Sequence, residues 1–164
     1  MKQLPEKIAL DKAVQGQRLY QGSVEIQQMS RLANMLADTN GSVDFSIQFA
    51  RARGLLGKAQ VKVKAELSLM CTISHKKFMF SVDINSSVGF IDDLTYEEML
   101  DVDMEASWVK NGFVNPLELI EDELILVVPD TPFAENHHTD DESEQEIVVT
   151  NQEPNPFDVL KNLK

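Results

Sequence analysis

The 164 residues carry a formal net charge of −12, and this charge is divided unevenly along the chain. Residues 1–91 hold 12 Lys/Arg and 7 Asp/Glu, whereas residues 92–164 hold 3 and 20. The protein is therefore not basic overall, and any basic surface must be local. The sequence contains no run of about 20 apolar residues that could span a membrane.

The length favours one α+β domain over residues 1–129, followed by an acidic disordered linker over 130–154 and a short patterned segment over 155–164. The first residues lack the apolar region of a signal peptide, so we expect a cytoplasmic location and no membrane partner. The single Cys71 excludes an internal disulfide and a zinc site made of several cysteines.

The first elements are predicted from periodicity. Residues 18–22 read as an extended stretch, and Ser23 is a plausible N-cap for an amphipathic helix over 24–37. Residues 43–49, 59–67 and 78–84 each alternate apolar and polar side chains, which predicts three strands with one wet face. The short segment between the second and third of these strands favours a hairpin, so we expect antiparallel neighbours.

The first residues of the acidic half show no regular spacing of apolar side chains, but regular spacing returns further along the chain. A further strand is predicted over 105–109, followed by a turn at Asn111-Gly112. Asn115 as N-cap and Pro116 at the first helical position predict a helix that ends at Pro129. Its acidic run over 121–123 is interpreted as a solvated helix face. The fold expected is an antiparallel sheet, able to close into a barrel, with two or three helices.

No catalytic arrangement is recognisable. His75, His137 and His138 are the only histidines, and none lies in a catalytic motif. The chain also lacks a Gly-rich phosphate loop of the Walker or dinucleotide type. We therefore expect no enzymatic activity and no small-molecule substrate.

Cys71 and Ser74 have the C-x-x-S spacing on the predicted hairpin turn. Two cysteines at that spacing would form a zinc knuckle, but serine is a poor zinc ligand. We expect no metal and no other cofactor, with Cys71 as an inert, largely buried thiol.

Basic residues concentrate on the predicted strands and their loops, and they form the predicted basic set: Arg51, Arg53, Lys58, Lys62, Lys64, Lys76 and Lys77. If the strands pair, several of these cations share one surface and could contact RNA phosphates. An equally good interpretation is that they keep a strand face soluble. The acidic half, in turn, could shield these cations, bind a basic protein, or serve solubility alone.

The end of the chain has a pattern that a solvated tail does not need. Asn155, Pro156, Phe157 and Leu160 form an N-P-F-x-x-L sequence with lysines after it. As a helix it would be too short to be stable alone. We therefore expect it to bind a protein partner or the domain itself.

Three sequence elements together resemble the YceD family, the large ribosomal RNA subunit accumulation proteins of bacteria and plastids. They are the hairpin turn with Cys71, the E-D-E-L-I-L-V-V-P segment over 121–129, and the terminal N-P-F-x-x-L over 155–160. The resemblance covers nearly the whole chain and follows the same order of elements. Many relatives have a second cysteine where this chain has Ser74.

The resemblance implies a role in the accumulation of 23S ribosomal RNA and in assembly of the 50S subunit, without known catalytic residues. The partners it implies are 23S rRNA or a pre-50S particle. An alternative is an acidic chaperone for a basic ribosomal protein of the large subunit, with residues 92–154 as an anionic clamp.

Overall fold

A computed structural model describes residues 4–134, which belong to one compact unit that ends at Ala134. The predicted linker over 130–154 lies outside the described residues from residue 135 onward, as does the whole segment over 155–164. The main body is a five-stranded sheet in the order β2-β3-β4-β5-β6, and β1 and β7 form a separate two-stranded sheet. The strands are β1 Ile8–Ala9, β2 Leu19–Glu25, β3 Ser42–Ala50, β4 Gly57–Met70, β5 Lys77–Ile91, β6 Met104–Trp108 and β7 Phe113–Val114.

The three α-helices are α1 Leu10–Gln15, α2 Ser30–Ala33 and α3 Pro116–Val127, and short 3-10 helices cover Ile26–Gln28 and Leu94–Met99. α1 and α3 pack against the central strands. No helix within residues 4–134 is long and apolar enough to cross a membrane.

The α+β class is confirmed, but the prediction of an antiparallel and closable sheet is wrong. β5 and β6 are parallel, with Val88 beside Glu105 and Phe90 beside Ser107, so the sheet is mixed. Parallel neighbours need a crossover connection, and residues 92–103 provide it. Within the described residues β2 and β6 stand at opposite edges and do not pair, so the sheet stays open.

The three central strands form as predicted, because their alternation places one apolar side chain on the core face at every second position. Val43, Phe45, Ile47 and Phe49 of β3 lie opposite Ala65, Val63, Val61 and Ala59 of β4, and all of them are buried. Phe49 also stacks on Phe90, with ring centroids 5.7 Å apart. Hydrophobic burial on this face therefore fixes the register of the strands.

The predicted helix over 24–37 is wrong. β2 continues through Ser23, which lies opposite Asp44, and only α2 and one 3-10 turn follow it. The apolar residues Ile26, Met29 and Leu32 recur every three positions and are fully buried. That spacing equals the period of a 3-10 helix, so the same pattern suits short, tight turns as well as an amphipathic helix.

The turn and cap before α3 are confirmed. Asn111 and Gly112 have φ values of 57° and 74°, the left-handed pair that a two-residue hairpin turn requires. Asn115 Oδ1 accepts hydrogen bonds from the Leu117 and Glu118 backbone N–H groups at 3.0 and 3.4 Å. This cap satisfies two of the unpaired N–H groups at the helix start.

Helix α1, which the sequence analysis does not predict, packs against the strand position held by Gly57. Val14 packs where β4 begins, and a Cβ atom added to Gly57 would collide with its side chain. We expect Gly57→Ala to lower the free energy of unfolding by roughly 1–3 kcal/mol, because the packed core resists extra volume. Gly22→Ala is the control, since its added Cβ would lie 3.6 Å from the Phe45 ring, an ordinary contact. Equal urea midpoints for the two variants would contradict this packing role.

Candidate nucleic-acid interface

The five-stranded sheet has one face turned away from α1 and α3, here called the open face. It carries the alternate positions of β4, from Lys58 through Lys62 and Lys64 to Met70, and their neighbours on the adjacent strands. Lys62 lies between Ser46 and Asn85, and Gln60 donates hydrogen bonds to Asn85 Oδ1 and the Ser86 carbonyl, both at 2.8 Å. The open face is therefore polar along most of its length.

Two lysines of the open face, one in the middle and one at an end, are paired with acids. Lys64 Nζ lies 2.8 Å from Asp83 Oδ2, and Lys77 Nζ lies 3.7 Å from Asp38 Oδ2. The hydrogen bond to Asp83, followed by that carboxylate's charge, raises the pKa of Lys64. These exposed pairs add little stability, but they cancel charge that RNA phosphates would otherwise meet.

The predicted basic set is distributed over a long surface. Arg51 and Arg53 lie in the loop between β3 and β4, whereas Lys76 and Lys77 lie at the β4–β5 hairpin. Lys58 and Met70, the residue opposite Lys77, are separated by about 40 Å at the rise of an extended strand. The structure therefore does not bring the seven cations together in one site.

A smaller group of cations lies at the end of the sheet where β3 leads into β4, and it is called the basic end. It consists of Arg18, Arg51, Arg53 and Lys58. The Phe49 N–H donates to the Arg18 carbonyl at 2.9 Å, which holds Arg18 beside the strand that leads into Arg51. The ion pairs found within residues 4–134 are made by Arg31, Lys64 and Lys77, so no cation of the basic end is in an ion pair there.

The acidic connection, residues 92–103, lies next to the basic end. A Cβ atom added to Gly54 would collide with Met99, and one added to Gly89 would collide with Leu100 and approach Leu55. Glu97 and Glu98, which precede Met99, are exposed. This packing brings the acidic connection against the loop that carries Arg51 and Arg53. Shielding of these cations by the acids stays a prediction.

The E-D-E segment of α3 is not a solvated helix face. Glu121 and Glu123 are each only 5% exposed. Glu121 Oε1 accepts hydrogen bonds from the Arg31 and Leu32 backbone N–H groups at 2.7 and 3.1 Å, and its Oε2 lies 2.8 Å from an Arg31 guanidinium nitrogen. The carboxylate thus caps the N-terminus of α2 and ties it to α3.

Asp122, between the two buried glutamates, is exposed and contacts Arg31 Nη1 at 2.6 Å. These contacts with two carboxylates raise the pKa of Arg31, the hydrogen bond to Asp122 contributing most. The acidic run is therefore largely explained by the docking of α2. Within the described residues, Glu123 makes no such ion pair with an arginine or lysine.

The hairpin turn holds Cys71 as predicted, fully buried. The Ser74 N–H donates to Cys71 Sγ at 3.5 Å, and the Thr72 N–H donates to the Pro132 carbonyl at 2.8 Å. Among residues 4–134 no three His, Cys, Asp or Glu side chains are grouped so as to hold a metal ion. Cys71 and His75 could form a three-ligand site only with His137 or His138, which lie outside the described residues, so the absence of zinc stays a prediction.

A curated relative is similar to this chain over most of both proteins. It is the large ribosomal RNA subunit accumulation protein YceD of Haemophilus influenzae, 26% identical over 154 residues, which cover 88% of this chain and 87% of the relative. No protein-family model and no solved structure matches the chain. The extent of the alignment supports the resemblance to YceD proteins that the three sequence motifs indicate.

Proposed function

We propose that this protein is a non-enzymatic assembly factor that promotes accumulation of 23S ribosomal RNA and formation of the large ribosomal subunit. The observation that carries the proposal is the similarity to a protein named for large ribosomal RNA subunit accumulation, over 88% of this chain. The basic end supports such a role, since its cations make no ion pair within the described residues.

The proposed RNA contact is the basic end rather than the whole predicted basic set. Arg18, Arg51, Arg53 and Lys58 combine guanidinium groups, which bind phosphate in a bidentate way, with one ammonium group. The neighbouring acidic connection would compete with weakly bound RNA and so make binding more selective. The terminal segment with Phe157 is proposed as a contact for a protein partner.

The second candidate function is that of an acidic chaperone for a basic ribosomal protein. The observation in its favour is the exposure of Glu97, Glu98 and other acids of the acidic connection. Such a protein would bind its client before assembly and release it to rRNA, whose charge density is greater. It would bind the client equally well in the absence of RNA.

A pull-down from cell lysate distinguishes the two functions. With the intact tagged chain, we expect 23S rRNA and pre-50S proteins to be recovered together, and we expect ribonuclease treatment to remove most of both. Recovery of one basic ribosomal protein that survives ribonuclease would instead support the chaperone function. A Phe157→Ala version of the full chain tests whether the terminal segment contributes to either recovery.

A further inference from the structure

A groove runs between the edge strand β6 and helix α3. It encloses a volume of about 610 Å³ and lies on the helix side of the sheet. Four carboxylates line it, Glu105 from β6 and Glu118, Asp122 and Glu123 from α3, of which Asp122 is paired with Arg31. Two lysines, Lys7 and Lys110, line the groove together with the remaining three. Val88 and Leu119 give the groove an apolar part, and both are buried. Its lining is thus acidic and partly apolar.

Glu123 is the residue that needs an explanation. It is only 5% exposed, and it lines the groove. No ion pair with a Lys or Arg of residues 4–134 balances its charge. Burial raises the pKa of Glu123, and the Glu105 and Asp122 carboxylates raise it further. A buried carboxylate without a counter-charge is costly, so its position points to a missing partner.

The Ser86 hydroxyl, the polar group beside Glu123, supplies too few hydrogen bonds to satisfy the carboxylate. Ser86 Oγ lies on the core face of β5, is buried, and has no hydrogen-bond partner of good geometry in the described part of the chain. Its hydroxyl is near enough to Glu123 to lower the pKa of that carboxyl, which opposes part of the rise caused by burial. A carboxylate can accept about four hydrogen bonds, and one hydroxyl offers one donor. Glu123 therefore keeps most of its acceptor capacity for a group that enters the groove.

Glu121 is the other buried glutamate of this helix, and its burial has a structural explanation that does not extend to Glu123. The two glutamates are equally buried, but Glu121 has an arginine and two backbone N–H groups as partners. Glu121 is thus explained by the docking of α2 onto α3. Glu123 makes no equivalent contact inside the described fold, and it faces the groove instead.

We propose that this groove binds an arginine or lysine side chain presented by a segment of a basic protein. The cationic head would pair with Glu123 on the floor, and the rim carboxylates Glu105 and Glu118 would attract neighbouring cations of the segment. The aliphatic stem would lie against Val88 and Leu119, as long basic side chains cover apolar surface while their charge is paired. The proposal does not depend on RNA contact at the basic end.

Charge and shape favour a protein segment over other occupants. The carboxylates repel RNA phosphates, so nucleic acid is not expected in the groove. A free polyamine would match the charge, but it has no backbone to use the polar lining of Asn111 and Asn115. A volume of about 610 Å³ accommodates a side chain together with part of its backbone.

The test uses a nine-residue capped peptide of alternating arginine and glycine as the probe, titrated into the full-length protein at 0.15 M salt. Trp108 lines the groove and is the only tryptophan, so its fluorescence reports on this site. The same peptide with citrulline in place of arginine keeps the size and removes the charge. We expect the arginine peptide to change Trp108 emission and the citrulline peptide to leave it unchanged.

The variants separate this groove from the general acidity of the chain. We expect Glu123→Gln to weaken peptide binding about tenfold or more, because a desolvated charge partner is lost. Glu105→Gln, at an exposed rim position, should weaken it to a smaller extent without risk to the fold. Glu98→Gln makes the same charge change on the acidic connection, outside the groove, and is expected to alter affinity less than about twofold.

Three results would overturn the proposal. The first is a folded Glu123→Gln variant, or a Glu105→Gln variant, that binds the peptide as the unmodified chain does. The second is an equal loss for Glu98→Gln, which would mean attraction by net charge alone. The third is spermidine binding that matches the peptide in affinity and in its dependence on Glu123, which would assign the groove to free polyamines.

Discussion

Replacing Glu121 with Ala is expected to lower the free energy of unfolding by roughly 2–4 kcal/mol, the largest stability effect of any single acidic residue in the described domain. The side chain is buried, and it accepts backbone hydrogen bonds from Arg31 at 2.7 Å and Leu32 at 3.1 Å. Without it, the N-terminus of α2 loses its cap and its link to α3. The two N–H groups would then face a cavity.

Urea unfolding followed by circular dichroism measures this loss. Glu121→Gln keeps one acceptor oxygen and should have an intermediate effect. Asp122→Ala is the matched control, because it removes a neighbouring carboxylate that also contacts Arg31 but is 56% exposed, and it should cost about 0.5 kcal/mol. A Glu121→Ala variant no less stable than Asp122→Ala would show that the acidic run does not hold α2.

The role of Glu121 could not be predicted from the acidic run itself. Three consecutive acids on a helix read as a solvated face, because charged residues are seldom fully buried unless they are paired. The partner, Arg31, lies 90 positions earlier in the chain, inside a segment that periodicity assigns to a longer helix. Sequence spacing reports on neighbours along the chain and not on a contact of this range.

The strands were predictable where one face is apolar and the other polar. β3, β4 and β5 satisfy this condition, and their registers place Val43, Val63 and Ile84 on the core side as the alternation requires. The direction of β6 was not predictable, since the acidic connection before it has no clear period. A parallel strand reached through that connection leaves the sheet mixed, and within the described residues it does not meet β2.

The candidate site was predictable in composition and not in shape. Arg51, Arg53 and Lys58 belong both to the predicted basic set and to the basic end, because they flank one loop. Arg18 joins them only through the pairing of its carbonyl with Phe49, 31 positions along the chain. The pairing of Lys64 with Asp83 likewise depends on strand register, which decides which residues lie opposite each other.

Replacing Arg18, Arg51, Arg53 and Lys58 with Gln is expected to weaken RNA binding and to flatten its salt dependence. Each phosphate contact with single-stranded RNA contributes about 0.7 to the slope of log K against log salt, so four contacts contribute about 3. At 0.1 M salt this corresponds to an affinity loss of about 100-fold or more. Fluorescence anisotropy with labelled single-stranded RNA, over several salt concentrations, gives both quantities.

The control is a second set with the same change in charge, Lys62, Lys64, Lys76 and Lys77 replaced with Gln. Because Lys64 and Lys77 already pair with Asp83 and Asp38, whereas Lys62 and Lys76 do not pair within the described residues, this set should reduce the slope by about half as much. An equal loss in both sets would mean that RNA follows the whole open face. An unchanged slope in the first set would exclude the basic end as the RNA contact, and the acidic chaperone would then be the better account of this protein.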